Sequence, residues 1–90
     1  QDLPPFVTAA GNPAEATGIN AEGLRRRGFS AERIAAVKAM HKALYREDRT
    51  LEQAMVRIDA LRLEKPEAGE DVDLMLGFLR GASPQRGIVR

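Results

Sequence analysis

Ser30-Ala31-Glu32-Arg33-Ile34-Ala35-Ala36-Val37-Lys38-Ala39-Met40-His41-Lys42-Ala43-Leu44-Tyr45 is the stretch on which the fold turns. Ile34, Val37, Met40, His41, Leu44 and Tyr45 recur at spacings of three and four, the period of a helix with one apolar face. Ser30 stands where an N-cap accepts from the first free backbone N–H groups, and Glu32 suits the positive end of the helix dipole. Moving outward, Thr50-Leu51-Glu52-Gln53 reads as a capping box, with Thr at the cap and Gln three residues on. The helix it opens turns Leu51, Ala54, Met55, Ile58 and Leu61 inward and stops before Pro66. A last helix is expected from about Glu70 to Arg80, with Val72, Met75, Leu76 and Leu79 inward and Gly81 at its end. Upstream, Asn20 caps a short helix that ends at Gly28, a left-handed terminator. Short links between helices predict a small antiparallel, up-and-down helical cluster. The tail from Ser83 to Arg90 reads as irregular.

The first nineteen residues break this pattern. Pro4, Pro5 and Pro13, with Gly11 and Gly18, punctuate short extended pieces around Phe6-Val7-Thr8-Ala9 and Ala16-Thr17. Large apolar residues are few here, so the stretch is expected to lean on some other part of a larger protein. Gln1 in place of Met also reads as a chain that starts within a longer one. The fold class is therefore mainly α, with residues 1–19 an extended Pro/Gly-rich connector and residues 20–90 a helical domain.

Composition bounds the chemistry. Ninety residues, 43% hydrophobic and 30% charged, make one modest globular domain. With no cysteine and one histidine, thiol nucleophiles, disulfides and zinc-thiolate sites are excluded and no metal site is expected. There is no apolar run long enough for a membrane span, no phosphate-binding glycine loop, and no cofactor is expected. The near-zero net charge of +1 hides an asymmetry. Arg25 to Arg49 holds eight Lys/Arg against three Asp/Glu, and Thr50 to Leu79 holds three against seven. The basic half is the one to search for an anionic ligand.

Three features there could carry function. His41 lies within the apolar stripe with no carboxylate at i±3 or i±4 to orient it, so it reads as a packing residue and not a base. The short helix gathers Asn20, Glu22, Arg25, Arg26 and Arg27 in two turns, with Asn20 near Arg27 and Glu22 near Arg26. Guanidinium forks suit phosphate oxygens, and an amide offers the donor and acceptor that a nucleobase edge requires. A solvated cationic turn with a Glu22–Arg26 surface pair would show the same residues. Lys38, Lys42, Arg46 and, if the helix reaches so far, Arg49 form a basic stripe beside the apolar face. An acidic protein or bulk solvent could each face it. The charge balance and scarce aromatics disfavour nucleic acid. A stand-alone interaction module that binds an acidic protein remains the alternative reading.

Several blocks together resemble a known family. Gln1-Asp2-Leu3-Pro4-Pro5-Phe6, Gly11-Asn12, Gly18-Ile19-Asn20-Ala21-Glu22-Gly23-Leu24-Arg25-Arg26-Arg27-Gly28-Phe29, Thr50-Leu51-Glu52 and Arg86-Gly87-Ile88-Val89-Arg90 are similar, in order, to the C-terminal part of the UDP-N-acetylglucosamine O-acyltransferases of lipid A synthesis. The resemblance implies a cytoplasmic homotrimer in which a left-handed parallel β-helix of hexapeptide repeats precedes a helical domain. It implies transfer of a 3-hydroxyacyl chain from acyl carrier protein to the 3-hydroxyl of UDP-N-acetylglucosamine. The general base would be a histidine on the β-helix, so this chain alone would hold no catalytic residue. Residues 1–19 become the exit from that β-helix. Asn20 and Glu22 would serve the uridine end, and Arg26 and Arg27 the phosphates or the nearby carrier arm. Lys38, Lys42, Arg46 and Arg49 would face the acidic carrier protein.

Overall fold

The structure, a computed structural model, describes residues 3–11 and 15–81. The Arg86-Gly87 ending and the expected irregular tail lie outside the described residues. Two strands come first, β1 (Val7–Ala10) and β2 (Glu15–Ile19), and then four helices: α1 (Ala21–Arg26), α2 (Ala31–Tyr45), α3 (Leu51–Glu64) and α4 (Gly69–Gly81). A single 3-10 turn, Pro66–Ala68, feeds α4.

The helix starts follow their caps. The Ser30 and Thr50 hydroxyls accept from the N–H of Arg33 and Gln53, and Gln53 returns the bond to the Thr50 N–H at 2.9 Å. The helices pack in chain order, α1 on α2, α2 on α3 and α3 on α4. Met40, Ile58, Leu61, Met75 and Leu76 fill the centre, all under 2% exposed. Each such side chain contributes about 1.5–3 kcal/mol on leaving water. Ala36, Ala43 and Ala54 are buried with them; their small side chains leave room for neighbouring helices to approach.

Two expectations change. The proline-rich connector does not merely extend; β1 and β2 pair as an antiparallel hairpin, Val7 opposite Ile19, with a bulge between Thr8 and Ala9. It finds support within this chain, because β2 packs on α2 and Val7 is buried. Second, α2 ends at Tyr45 with Arg46 as its C-cap, and Asp48 turns the chain at φ 51°. Arg49 is therefore off the helix and off the stripe, paired with Glu47 at 3.1 Å. Asp71, which the sequence does not single out, lies in the first turn of α4 and is 4% exposed.

Candidate nucleotide-sugar cleft

The end of α1 is built by its own sequence. Asn20 Oδ1 accepts from the Gly23 N–H at 3.0 Å, which starts the helix. At the other end Gly28 adopts φ 89°. Its N–H donates to the Arg25 carbonyl, and the Phe29 N–H donates to the Leu24 carbonyl, both at 3.0 Å. That paired closure is the Schellman arrangement, and it fixes the backbone of Arg27 and Phe29 on either side of the glycine. Gly23 is constrained by proximity, since a Cβ there would lie 2.7 Å from Asn20 Nδ2.

Beside this turn opens a cleft of about 210 Å³, lined by Phe6, Thr8, Asn20, Gly23, Leu24 and Arg27. Two of the four expected binding residues, Asn20 and Arg27, meet there. The other two do not line it. Glu22 and Arg26 face each other on the exposed side of α1 at 3.8 Å, and Arg25 shares the same carboxylate at 3.4 Å. Arg27 makes no ion pair among the described residues. Asn20 spends one acceptor position on its cap and keeps its amide donors. Phe6, Thr8, Gly23 and Leu24 were not legible as site residues. The Pro4-Pro5-Phe6 block was the available signal for Phe6, but only hairpin pairing brings Thr8 alongside α1. The Thr8 hydroxyl donates to the Gly18 carbonyl at 3.1 Å and shares a hydrogen bond with the Thr17 hydroxyl at 2.8 Å.

A guanidinium, an amide and an aromatic edge around a small cleft can hold a planar polar group joined to an anion. The volume suits one ring and not a whole nucleotide-sugar. The cleft holds no nucleophile–base pair, and His41 is not part of it. His41 instead packs with its ring 4.9 Å from that of Tyr45. Its Nε2 is buried without a hydrogen-bond partner, and burial, helped by the Arg46 charge, lowers its pKa below the ordinary 6.5. Lys38, Lys42 and Arg46 are exposed and unpaired among the described residues. They follow one another at successive turns over ~12 Å of α2 and its cap. Those residues contain no His/Asp/Glu cluster able to hold a metal ion.

Residues 2–89 match the family described as UDP-N-acetylglucosamine O-acyltransferase, domain 2. The chain belongs to this family. An acyl-[acyl-carrier-protein]–UDP-N-acetylglucosamine O-acyltransferase of Albidiferax ferrireducens is 64% identical over 89 residues, 99% of this chain and 34% of the relative. The enzyme of that name from Leptothrix cholodnii is 51% identical over all of this chain and 34% of its own length. Among solved structures, the UDP-N-acetylglucosamine O-acyltransferase of Moraxella catarrhalis superposes with a TM-score of 0.85 at 30% identity, over the whole chain and 33% of that protein. LpxA of Acinetobacter baumannii gives 0.81 at 37% identity, over 99% of the chain and 33% of its own. The chain thus spans about a third of the length of these acyltransferases. Among the described residues the fold is mainly helical, with a two-stranded hairpin at its start. No helix among the described residues is long and apolar enough to cross a membrane.

Proposed function

We propose that this chain is the substrate- and carrier-docking domain of an acyltransferase that moves a 3-hydroxyacyl group from acyl carrier protein to the 3-hydroxyl of UDP-N-acetylglucosamine, the first step of lipid A synthesis. The observation that carries the reading is the cleft in which Asn20 and the unpaired Arg27 meet. Membership of the domain family and the substrates that the relatives are named for support it. In this reading the cleft takes the uridine end, with Asn20 donating to the base and Arg27 reaching the diphosphate. Arg26 and Glu22, held together on the outer side of α1, join the ligand only when their mutual contact opens. A surface pair of this kind is weak enough to be replaced by a phosphate.

Lys38, Lys42 and Arg46 dock the acidic carrier protein, and complementary charge there raises association rate and fixes orientation. Arg49, held by Glu47, contributes less. The hairpin is the exit from a left-handed β-helix that supplies the general base, and the whole is a cytoplasmic homotrimer. The test is a radiolabelled acyl-transfer assay with 3-hydroxyacyl carrier protein and UDP-N-acetylglucosamine. The full-length protein turns over and this chain alone does not. Turnover by the chain alone that vanishes in His41→Ala would contradict the reading.

A further inference from the structure

Two structural features near the cleft are unexplained by its ligand chemistry. One is the buried Asp71. Arg33 Nε and Nη2 donate to its Oδ2 and Oδ1, both at 2.9 Å, across 38 residues of chain. Two parallel bonds fix the plane of the guanidinium as well as its position. That plane lies against Phe29, with Arg33 Cζ 3.7 Å from the ring centroid. Phe29 in turn meets two cleft residues. Phe6 sits edge-on to it at 5.9 Å with the ring planes 71° apart, and Arg27 Cζ lies 5.4 Å from its centroid.

The second feature is the backbone of Phe6, at φ 67°. The Val7 N–H donates to the Pro4 carbonyl at 3.3 Å, which closes a turn with Phe6 at the position that glycine favours. A bulky residue there is strained, and such strain persists only where surrounding contacts over-determine it. Phe29 is the aromatic contact that Phe6 makes, and Arg33 and Asp71 hold Phe29.

We propose that Asp71, Arg33 and Phe29 are positioning residues, a brace from α4 through α2 that holds Phe6 and Arg27 as the two walls of the cleft. This rests on the nucleotide-sugar reading given above. None of the three lines the cleft; they act through residues that do. Ordering a free arginine on binding has an entropic cost, and a brace that orders it in the unbound protein removes that cost from the affinity.

The test uses the full-length acyltransferase that carries this chain. Arg33→Met with Asp71→Leu replaces the ion pair by apolar residues, a change that such pairs tolerate without unfolding. The double variant raises KM for UDP-N-acetylglucosamine roughly threefold to tenfold, the loss expected from unfixing one or two side chains. KM for the acyl carrier protein and kcat stay within about twofold, a split that general destabilisation would not give. Phe29→Leu reproduces the effect and Phe29→Tyr, which keeps the ring, recovers most of it. In an Arg27→Ala background the double variant adds little, because the brace acts through Arg27. Should Arg27→Ala raise KM while neither the double variant nor Phe29→Leu does, the brace is wrong and the cleft stands. Should Arg27→Ala itself leave KM unchanged, the cleft reading falls and the brace with it. A proportional loss of kcat and of both substrates' KM would reduce Arg33 and Asp71 to fold stability alone.

Discussion

Arg33, Arg57, Arg62 and Lys65 each hold a carboxylate within 2.9 Å, whereas Arg27, Lys38, Lys42 and Arg46 hold none among the described residues. Three of the first set tie elements together, and Arg57 pairs with Glu64 within α3. Arg33 reaches α4 from α2, Arg62 reaches Asp73 on α4 from α3, and Lys65 reaches Glu32 on α2. The hydrogen bonds they donate to these carboxylates raise the pKa of all four above ordinary values. The second set flanks the cleft and runs along α2. Both sets contain the same residue types, so net charge does not tell them apart; what differs is whether a carboxylate answers. Cations without a partner are the ones available to a diphosphate or an acidic protein.

The comparison breaks if the two sets respond alike. On the paired side the expected effect is on stability. Asp71→Ala leaves Arg33 without its acceptor and lowers the melting temperature by more than about 5 °C, the shift that ~1 kcal/mol produces in a domain of this size. Thermal unfolding followed by circular dichroism measures it, and an unchanged midpoint would mean the pair is idle. On the unpaired side, Lys42→Glu with Arg46→Glu leaves that midpoint nearly unchanged. It raises KM for acyl carrier protein about tenfold at low salt, by removing favourable charge pairs and adding repulsive ones. The increase shrinks as salt is added, since exposed charges are screened beyond roughly 8 Å at physiological ionic strength. An increase that ignores salt would take the stripe out of carrier docking.

The smallest effect concerns His41, which belongs to neither set. Its lowered pKa means the unfolded chain takes up the proton first as pH falls. Its contribution to stability is therefore complete above the unfolded value of about 6.5 and is lost as pH drops through the lower folded value. His41→Phe removes this loss and fills the apolar face. Its melting temperature equals or exceeds that of the parent near pH 8, and the margin widens toward pH 5. A margin that narrows as the solution is acidified would show that His41 is charged in the folded chain.

How far the sequence foretells all this depends on the range of the interaction. Ser30, Thr50 and Gln53 announce their helices because a cap is settled within three residues. Gly28 likewise announces the end of α1, and the apolar period of α4 names Val72, Met75, Leu76 and Leu79, all buried. The hairpin was not legible, because strand pairing depends on register between two short pieces rich in alanine, threonine and glycine. Asp71 was not legible either, since its partner lies 38 residues away. In the cleft, Asn20 and Arg27 could be read from helical spacing, but Phe6 and Thr8 reach it only through the hairpin. Arg26 looks like Arg27 in sequence, but in the structure Arg26 meets Glu22 on the outer side of α1 while Arg27 lines the cleft and lies by Phe29.

That last difference leads to the most direct measurement. In the full-length enzyme, KM and kcat for UDP-N-acetylglucosamine are compared for Arg27→Ala and Arg25→Ala, with folding checked by circular dichroism. Arg27 lines the cleft and Arg25 shares Glu22 outside it. Arg27→Ala should lose roughly tenfold to a hundredfold in kcat/KM, corresponding to ~1.5–3 kcal/mol for a hydrogen bond to a charged group. Arg27→Lys should recover part of that, because an ammonium keeps the charge without the fork. Arg25→Ala should cost far less. Equal losses at the two positions, or none at Arg27, would contradict the claim that the unpaired arginine of the cleft binds the nucleotide-sugar.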